Sequence, residues 1–298
     1  MKLSQKPKAH SHSCMVYGAA KTGKTLLAGK LAEKYNLIYI DMENGYESLL
    51  QLPTAWQERI ELISLPDSSS YPVAIETCLK MVKGKVAICE EHGKVACMIC
   101  QRAEAPIVEL NLPALGPETV VVFDSMTQIS ASAIAHITKG QPDDYKLTFN
   151  DYGNLGRLLD IFLSHLQAAS YNVVVISHEQ AIEQEDKRIS ITPVGGTRNF
   201  SKNIAKFFGS VVYCTRKNRK HMFYSSTDFS SSILTGSRSN IAIEKMEDPS
   251  LLPIFNAEVA AAVAVTEPAT SIHPANKPKA TGGTTASNTL ARLSALKK

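Results

Sequence analysis

No stretch of the 298-residue chain approaches the ~18 consecutive apolar residues that a membrane-spanning helix requires, so no such span is expected. The opening Met1-Lys2-Leu3-Ser4-Gln5-Lys6 is polar and lacks the apolar stretch of a secretory leader, which sets the expectation of a cytoplasmic protein. Charge of one sign is scarce as well. The 32 Lys and Arg against 28 Asp and Glu leave a net charge of +4, too little for whole-chain charge to identify a nucleic-acid partner. Six cysteines without a leader argue against a disulfide framework, and four of them fall between Cys78 and Cys100, where metal chemistry becomes the question. The length suits one α/β core with additions.

What is present begins with Gly18-Ala19-Ala20-Lys21-Thr22-Gly23-Lys24-Thr25, a complete G-x-x-x-x-G-K-T phosphate-binding loop after the apolar run Cys14-Met15-Val16-Tyr17. Its glycines let the backbone fold into a nest of inward N–H groups, and the following helix adds its positive end. Leu26 to Tyr35 has helical spacing and Leu37-Ile38-Tyr39-Ile40 reads as a short buried strand, which is the order the motif needs. A nucleoside triphosphate, taken as ATP, is therefore expected against Gly18, Ala19, Ala20, Lys21, Thr22, Gly23, Lys24, Thr25 and Leu26. Lys24 would reach the β- and γ-phosphates and the Thr25 hydroxyl would ligate Mg²⁺.

Val120-Val121-Val122-Phe123-Asp124 is an apolar strand ending in a carboxylate, placed to hold Mg²⁺ beside Thr25, although an Asp there also suits a helix cap. No Glu follows Asp124, so a water-orienting carboxylate must come from another strand end. Glu43, past the end of Leu37-Ile38-Tyr39-Ile40-Asp41, is the candidate, with Asp41 read as a structural or capping residue. Asn172 to Ser177 is a further apolar strand, Gly153 to Ala169 is helix-patterned, and Phe208 to Cys214 with Met222-Phe223-Tyr224 reads as a strand pair. Such runs indicate a parallel sheet buried on both faces.

In order, the phosphate loop, Ile40-Asp41-Met42-Glu43-Asn44, Val121-Val122-Phe123-Asp124-Ser125, and Val174 to Glu179 with Pro193-Val194-Gly195-Gly196-Thr197 resemble the RecA family of recombination ATPases across most of residues 14–220. The resemblance implies a RecA-like P-loop NTPase core, α/β with a mainly parallel central sheet. It also implies Glu43 as the residue that activates water and His178 at the γ-phosphate sensor position, where RecA carries an amide. His178 either donates to a phosphate oxygen or is a satisfied histidine at a strand end. The more specific likeness is to small phage RecA-like ATPases of single-strand annealing and recombination, which would place the chain in the host cytoplasm. Self-association as a ring or filament is then expected. A small-molecule P-loop kinase and a nucleotide-gated replisome adaptor or helicase loader are the competing readings.

Cys89-x₂-His92-x₄-Cys97-x₂-Cys100 has the spacing of four soft ligands around a structural Zn²⁺, in an insert (residues 84–104) too short to build its own core. The other reading is of ordinary buried cysteines. Between Gly140 and Gly153, the aromatics Tyr145, Phe149 and Tyr152 lie outside any strong period; by the resemblance this is the first DNA loop, where the rings either stack on bases or pin the loop to its own domain. The second loop, at Gly195 and Gly196, is flanked by Arg198, Lys202 and Lys206, and single-stranded DNA is the implied partner. Arg216 to His221 is a separate basic turn, either a solvated hairpin or a segment that reaches to a neighbour's γ-phosphate or to DNA. Residues 1–13 read as an N-terminal extension, 14–250 as the ATPase core, and 251–298, rich in Ala, Thr, Ser and Pro, as a disordered tail. The tail is a candidate site for a single-strand-binding or replication protein.

Overall fold

The computed structural model describes residues 11–68, 70–184, 187–218, 220–225, 232–238 and 249–255. Most of the extension and the sequence beyond residue 255, including the expected disordered tail, lie outside the described residues.

The apolar runs become strands of one sheet. They are β1 (Ser13–Gly18), β2 (Asn36–Asp41), β3 (Ile60–Ser64), β6 (Thr119–Asp124), β7 (Asn172–Glu183), β9 (Ser210–Lys217) and β10 (Lys220–Tyr224), in the spatial order β10-β9-β1-β7-β6-β2-β3. Every neighbouring pair from β9 to β3 is parallel, and the antiparallel β10 closes one edge. The short β11 (Gly236–Ser237) also pairs with β9. Alternation along the buried strands feeds two separate cores. Leu37, Tyr39, Val120 and Val122 face Leu27 and Leu31 of the segment that follows the phosphate loop, helix α1 (Lys24–Gly29) and a 3₁₀ turn. Ile38, Ile40, Val121 and Phe123 face α3 (Ala74–Met81), α5 (Met126–Ile137) and α6 (Phe149–Gln167) on the other side. Period-2 burial on both faces is what a layered α/β sheet demands.

Five details depart from expectation. The turn-rich stretch from Pro53 to Pro72 contains α2 (Thr54–Gln57) and the edge strand β3, in which only Ile63 is buried; with so little apolar signal the strand was not legible. The segment read as a loop up to Gly153 instead starts α6 at Phe149, because Thr148 and Asp151 form a reciprocal capping box. β7 runs on past the sheet and turns back as β8 (Ile189–Pro193), antiparallel to it. The core reaches beyond residue 250: Leu251 and the short α8 (Leu252–Phe255) are buried against the α1 side, and Tyr35 donates to the Phe255 carbonyl at 2.9 Å. At the other end the sheet begins at Ser13, inside the expected extension.

The cysteine-rich insert is a unit on the sheet's flank. β4 (Val86–Cys89) and β5 (Ile107–Leu110) form an antiparallel pair, with α4 (Met98–Arg102) in the connection between them.

Candidate functional site

Parallel register brings the strand ends together along one edge: Gly18 lies opposite His178, and Asp41 opposite Asp124. In sheets of this type ligands bind at that edge. The loop leaving β1 is shaped by backbone rather than side chains. Lys21 (φ 63°) and Gly23 (φ 89°) take left-handed conformations, the backbone setting in which successive N–H groups can turn inward as an anion nest. A Cβ on Gly18 would lie 2.1 Å from the Cys214 carbonyl oxygen, so only glycine lets the loop pass that close to β9. Lys24 is buried within the loop, its Nζ donating to the carbonyls of Gly18 (3.0 Å) and Ala19 (2.7 Å). Burial lowers its pKa, a strain that phosphate oxygens in place of the carbonyls would relieve.

Asp124 collects the hydroxyls around it. Its Oδ2 accepts from Thr25 Oγ1 at 2.8 Å and from Tyr39 OH at 2.7 Å, and burial pushes its pKa up to about 6 against those two hydrogen bonds. A hydroxyl and a carboxylate oxygen at this spacing are a hard donor pair suited to Mg²⁺, so the residues present fit a magnesium nucleotide. When bound, the ion would neutralise charge on the phosphates. Asp41, expected to be structural, is so: its carboxylate accepts from the backbone N–H groups of Glu43, Gly45 and Tyr46, fixing the turn after β2.

That turn aims Glu43 across the strand ends. One carboxylate oxygen accepts from Ser125 Oγ, and the other lies 3.1 Å from His178 Nε2. The backbone N–H of His178 is held by Thr127 Oγ1 at 2.9 Å. Lys24, Thr25, Glu43, Asp124 and His178 therefore converge on one edge, as the sequence reading requires. Two contributors were missed. Tyr39 shares a sheet face with Asp124 through the β2–β6 register, and His221, on the edge strand, places Nδ1 2.8 Å from the Thr22 carbonyl, against Gly23. Strand register would have found the first; nothing local signals the second.

The residues expected to meet DNA divide by exposure. Phe149 is 91% exposed and Tyr152 48% exposed on the first turn of α6, whereas Tyr145 donates to Asp151 at 2.7 Å within the cap. Gly195 and Gly196 serve packing: a Cβ on Gly195 would meet Ile204 at 2.7 Å, and one on Gly196 would meet Leu159 of α6 at 2.7 Å. Their small size is used inside the fold. Arg198 is exposed at the start of α7 (Arg198–Asn203); Lys202 reaches Gln184 Oε1 at 3.3 Å and Lys206 lies 3.6 Å from Asp160.

Apart from this edge, Cys89, His92, Cys97 and Cys100 bring their ligand atoms within 4.8 Å of one another, a cluster able to hold a metal ion. Cys14, Cys78 and Cys214 are buried in the two cores, as packing residues are expected to be. Among the described residues no helix is long and apolar enough to cross a membrane.

A family model described as an AAA domain matches residues 10–239. No curated protein matches the sequence. Among solved structures, an ATPase from the type III secretion system of pathogenic bacteria is similar at 13% identity with a TM-score of 0.41. The match covers 69% of this chain and 52% of that one, so this chain spans about half the length of that protein.

Proposed function

The chain belongs to the AAA-domain family, and from that premise we propose that it is a RecA-like ATPase that binds single-stranded DNA and uses ATP binding and hydrolysis to control its assembly in recombination, annealing or replication. The nucleotide-binding ATPase domain is common ground; the DNA partner is the reading we add.

One observation carries it. His178, paired with Glu43, is also bonded through its backbone to the segment that leads to Arg198 and the lysines after it: Val194 N–H donates to the His178 carbonyl at 2.9 Å, and Ser177 Oγ donates to the Val194 carbonyl at 2.8 Å. Four residues further on is Arg198, followed by Lys202 and Lys206. A change in the hydrogen bonding of Glu43 therefore has a short covalent and hydrogen-bonded route to a surface suited to phosphates. Gly196 packs on Leu155 and Leu159, so α6, whose first turn presents Phe149 and Tyr152, lies directly beside this segment. Cations for the backbone and rings for the bases are the two needs of a single-strand site.

Each residue then has a task. Lys24 exchanges loop carbonyls for phosphate oxygens, Thr25 and Asp124 hold Mg²⁺, and Glu43 orients the attacking water while Ser125 and His178 fix its carboxylate. A ring or filament and a replication-protein partner for the tail belong to the same proposal.

The test is fluorescence anisotropy of a labelled oligothymidylate with a non-hydrolysable ATP analogue. Combined Arg198→Ala, Lys202→Ala and Lys206→Ala is expected to weaken binding about tenfold or more and flatten the salt dependence. Phe149→Ala is expected to cost about 1–3 kcal/mol. Unchanged affinity in both variants would refute the assignment of this surface.

A further inference from the structure

The geometry points to a closed, structural Zn²⁺ site formed by Cys89 Sγ, His92 Nδ1, Cys97 Sγ and Cys100 Sγ, with the metal serving as the core of the insert between β4 and β5. This goes beyond the functional reading above and is independent of it, since the nucleotide-site residues come from β1, β2, β6, β7 and β10 and their adjoining loops.

The distances are the first argument. With Zn–S near 2.3 Å and Zn–N near 2.0 Å, a tetrahedron has edges of about 3.5–3.8 Å between ligand atoms. His92 Nδ1 lies 3.8 Å from Cys97 Sγ and 3.1 Å from Cys100 Sγ, and the four ligand atoms fall within 4.8 Å of one another. The ring nitrogen facing the thiols is Nδ1, which selects that atom as the ligand. Glu91 is the nearby competitor, with Oε2 also 3.8 Å from Cys100 Sγ, but its side chain is largely exposed and it falls outside the group of four whose ligand atoms are mutually close.

The second argument is what else holds the insert together. Its local apolar cluster consists of Cys89, Cys97 and Cys100 with Ala105 packed against them. Val86, Ile88 and Leu110 seat β4 and β5 on the main core, so what is left for an ion to order is the connection from Cys89 to Cys100 with its five-residue helix, too short to order itself. The three thiols are free and buried, clustered around an imidazole, an arrangement that spends apolar space on polarisable ligands. The ligands are also distributed as a clamp must be. Cys89 ends β4, His92 sits in the turn, Cys97 caps α4 and Cys100 lies within it, so one ion ties all three pieces. Three buried thiolates and a half-buried imidazole leave no open position, which excludes a catalytic role.

The clamp is fastened to the ATPase core by Gly93. Its carbonyl accepts from Thr77 Oγ1 of α3 at 2.8 Å, and a Cβ there would lie 2.9 Å from Pro66 and 3.0 Å from the Leu65 backbone. Zinc loss is therefore expected to loosen the insert and the adjoining turn at residues 65–67 without dismantling the phosphate loop.

The test is metal analysis of the full chain purified under reducing conditions with no added metal. One zinc per chain is expected, together with the visible and near-ultraviolet bands of tetrahedral cobalt thiolate after exchange with Co²⁺. Cys97→Ser and Cys100→Ser are expected to lower zinc content to well below half while Mg²⁺-dependent ATP hydrolysis stays within about twofold of wild type. Iron in place of zinc, zinc retained by both variants, or a wild-type chain that carries no zinc and gives no cobalt-thiolate bands would overturn the assignment. Because the cobalt spectrum is read on the wild-type chain, the proposal remains testable even if the serine variants fail to fold.

Discussion

Asp124 is the residue at which stability and activity are opposed. Burial raises its pKa from an ordinary aspartate's 3.8 to about 6, so the folded chain holds a proton there more tightly than the unfolded chain does. The stabilising contribution of that proton is complete below pH 3.8 and is lost as pH rises to about 6; at neutral pH the ionised group is a cost. Asp124→Asn, which keeps an oxygen for Tyr39 and Thr25, is expected to raise the melting temperature without nucleotide at pH 7.5, by up to about 3 kcal/mol in unfolding free energy. The same substitution is expected to abolish Mg²⁺-dependent hydrolysis, and a variant that melts no higher than wild type would contradict the account. Hydrolysis by the wild type is expected to fall with acidity at a midpoint below about 6 when Mg²⁺ is saturating, since the dication favours the carboxylate. Gly18→Ala, with its Cβ driven into the Cys214 carbonyl, is expected to lose nucleotide binding and lower the melting temperature. At this scale the site was legible wherever chemistry is local in sequence, as in the loop from Gly18 to Thr25 and the strand ending at Asp124. Tyr39 and His221 reach the site only through register and an edge strand, which a linear reading does not contain.

At the scale of elements, polarity and capping decided what could be read. Buried strands such as β6 announce themselves because both faces are covered, whereas β3 exposes Glu61 and Leu62 at the sheet's edge and resembles a loop. The start of α6 was hidden by its aromatics. Phe149 and Tyr152 look like loop residues until Thr148 is seen accepting from the Asp151 N–H while Asp151 accepts from the Thr148 N–H at 2.7 Å. Thr148→Ala is expected to cost about 1 kcal/mol by chemical denaturation. It is also expected to weaken DNA binding in the anisotropy assay, because fraying that turn scatters the two rings. Equal stability would show that the cap is not needed to hold the turn. The Gly195-Gly196 pair carries the opposite lesson. Small residues beside cations suggest a mobile contact loop, yet both are packed against Ile204 and Leu159, and the exposed work falls to their neighbours.

For the whole molecule, the fold class and the convergence of strand ends followed from the order of motifs, while the extent of the core did not. Low complexity after residue 256 obscured the short apolar run before it, and Leu251, Leu252, Ile254 and Phe255 seal the α1 side of the sheet. Between wild type and Phe255→Ala, the variant is expected to lose about 3–5 kcal/mol of unfolding free energy. Equal stability of the two would mean that the segment is not part of the core. We propose that hydrolysis at the Glu43–His178 edge answers to a nucleic acid bound beside Val194. The most direct test is the steady-state rate of ATP hydrolysis with and without single-stranded DNA, for wild type, Lys24→Ala and Glu43→Gln. A severalfold rise with DNA that both substitutions remove is expected, with Glu43→Gln still binding nucleotide. A wild-type rate that is the same in the presence and absence of DNA would contradict this proposal.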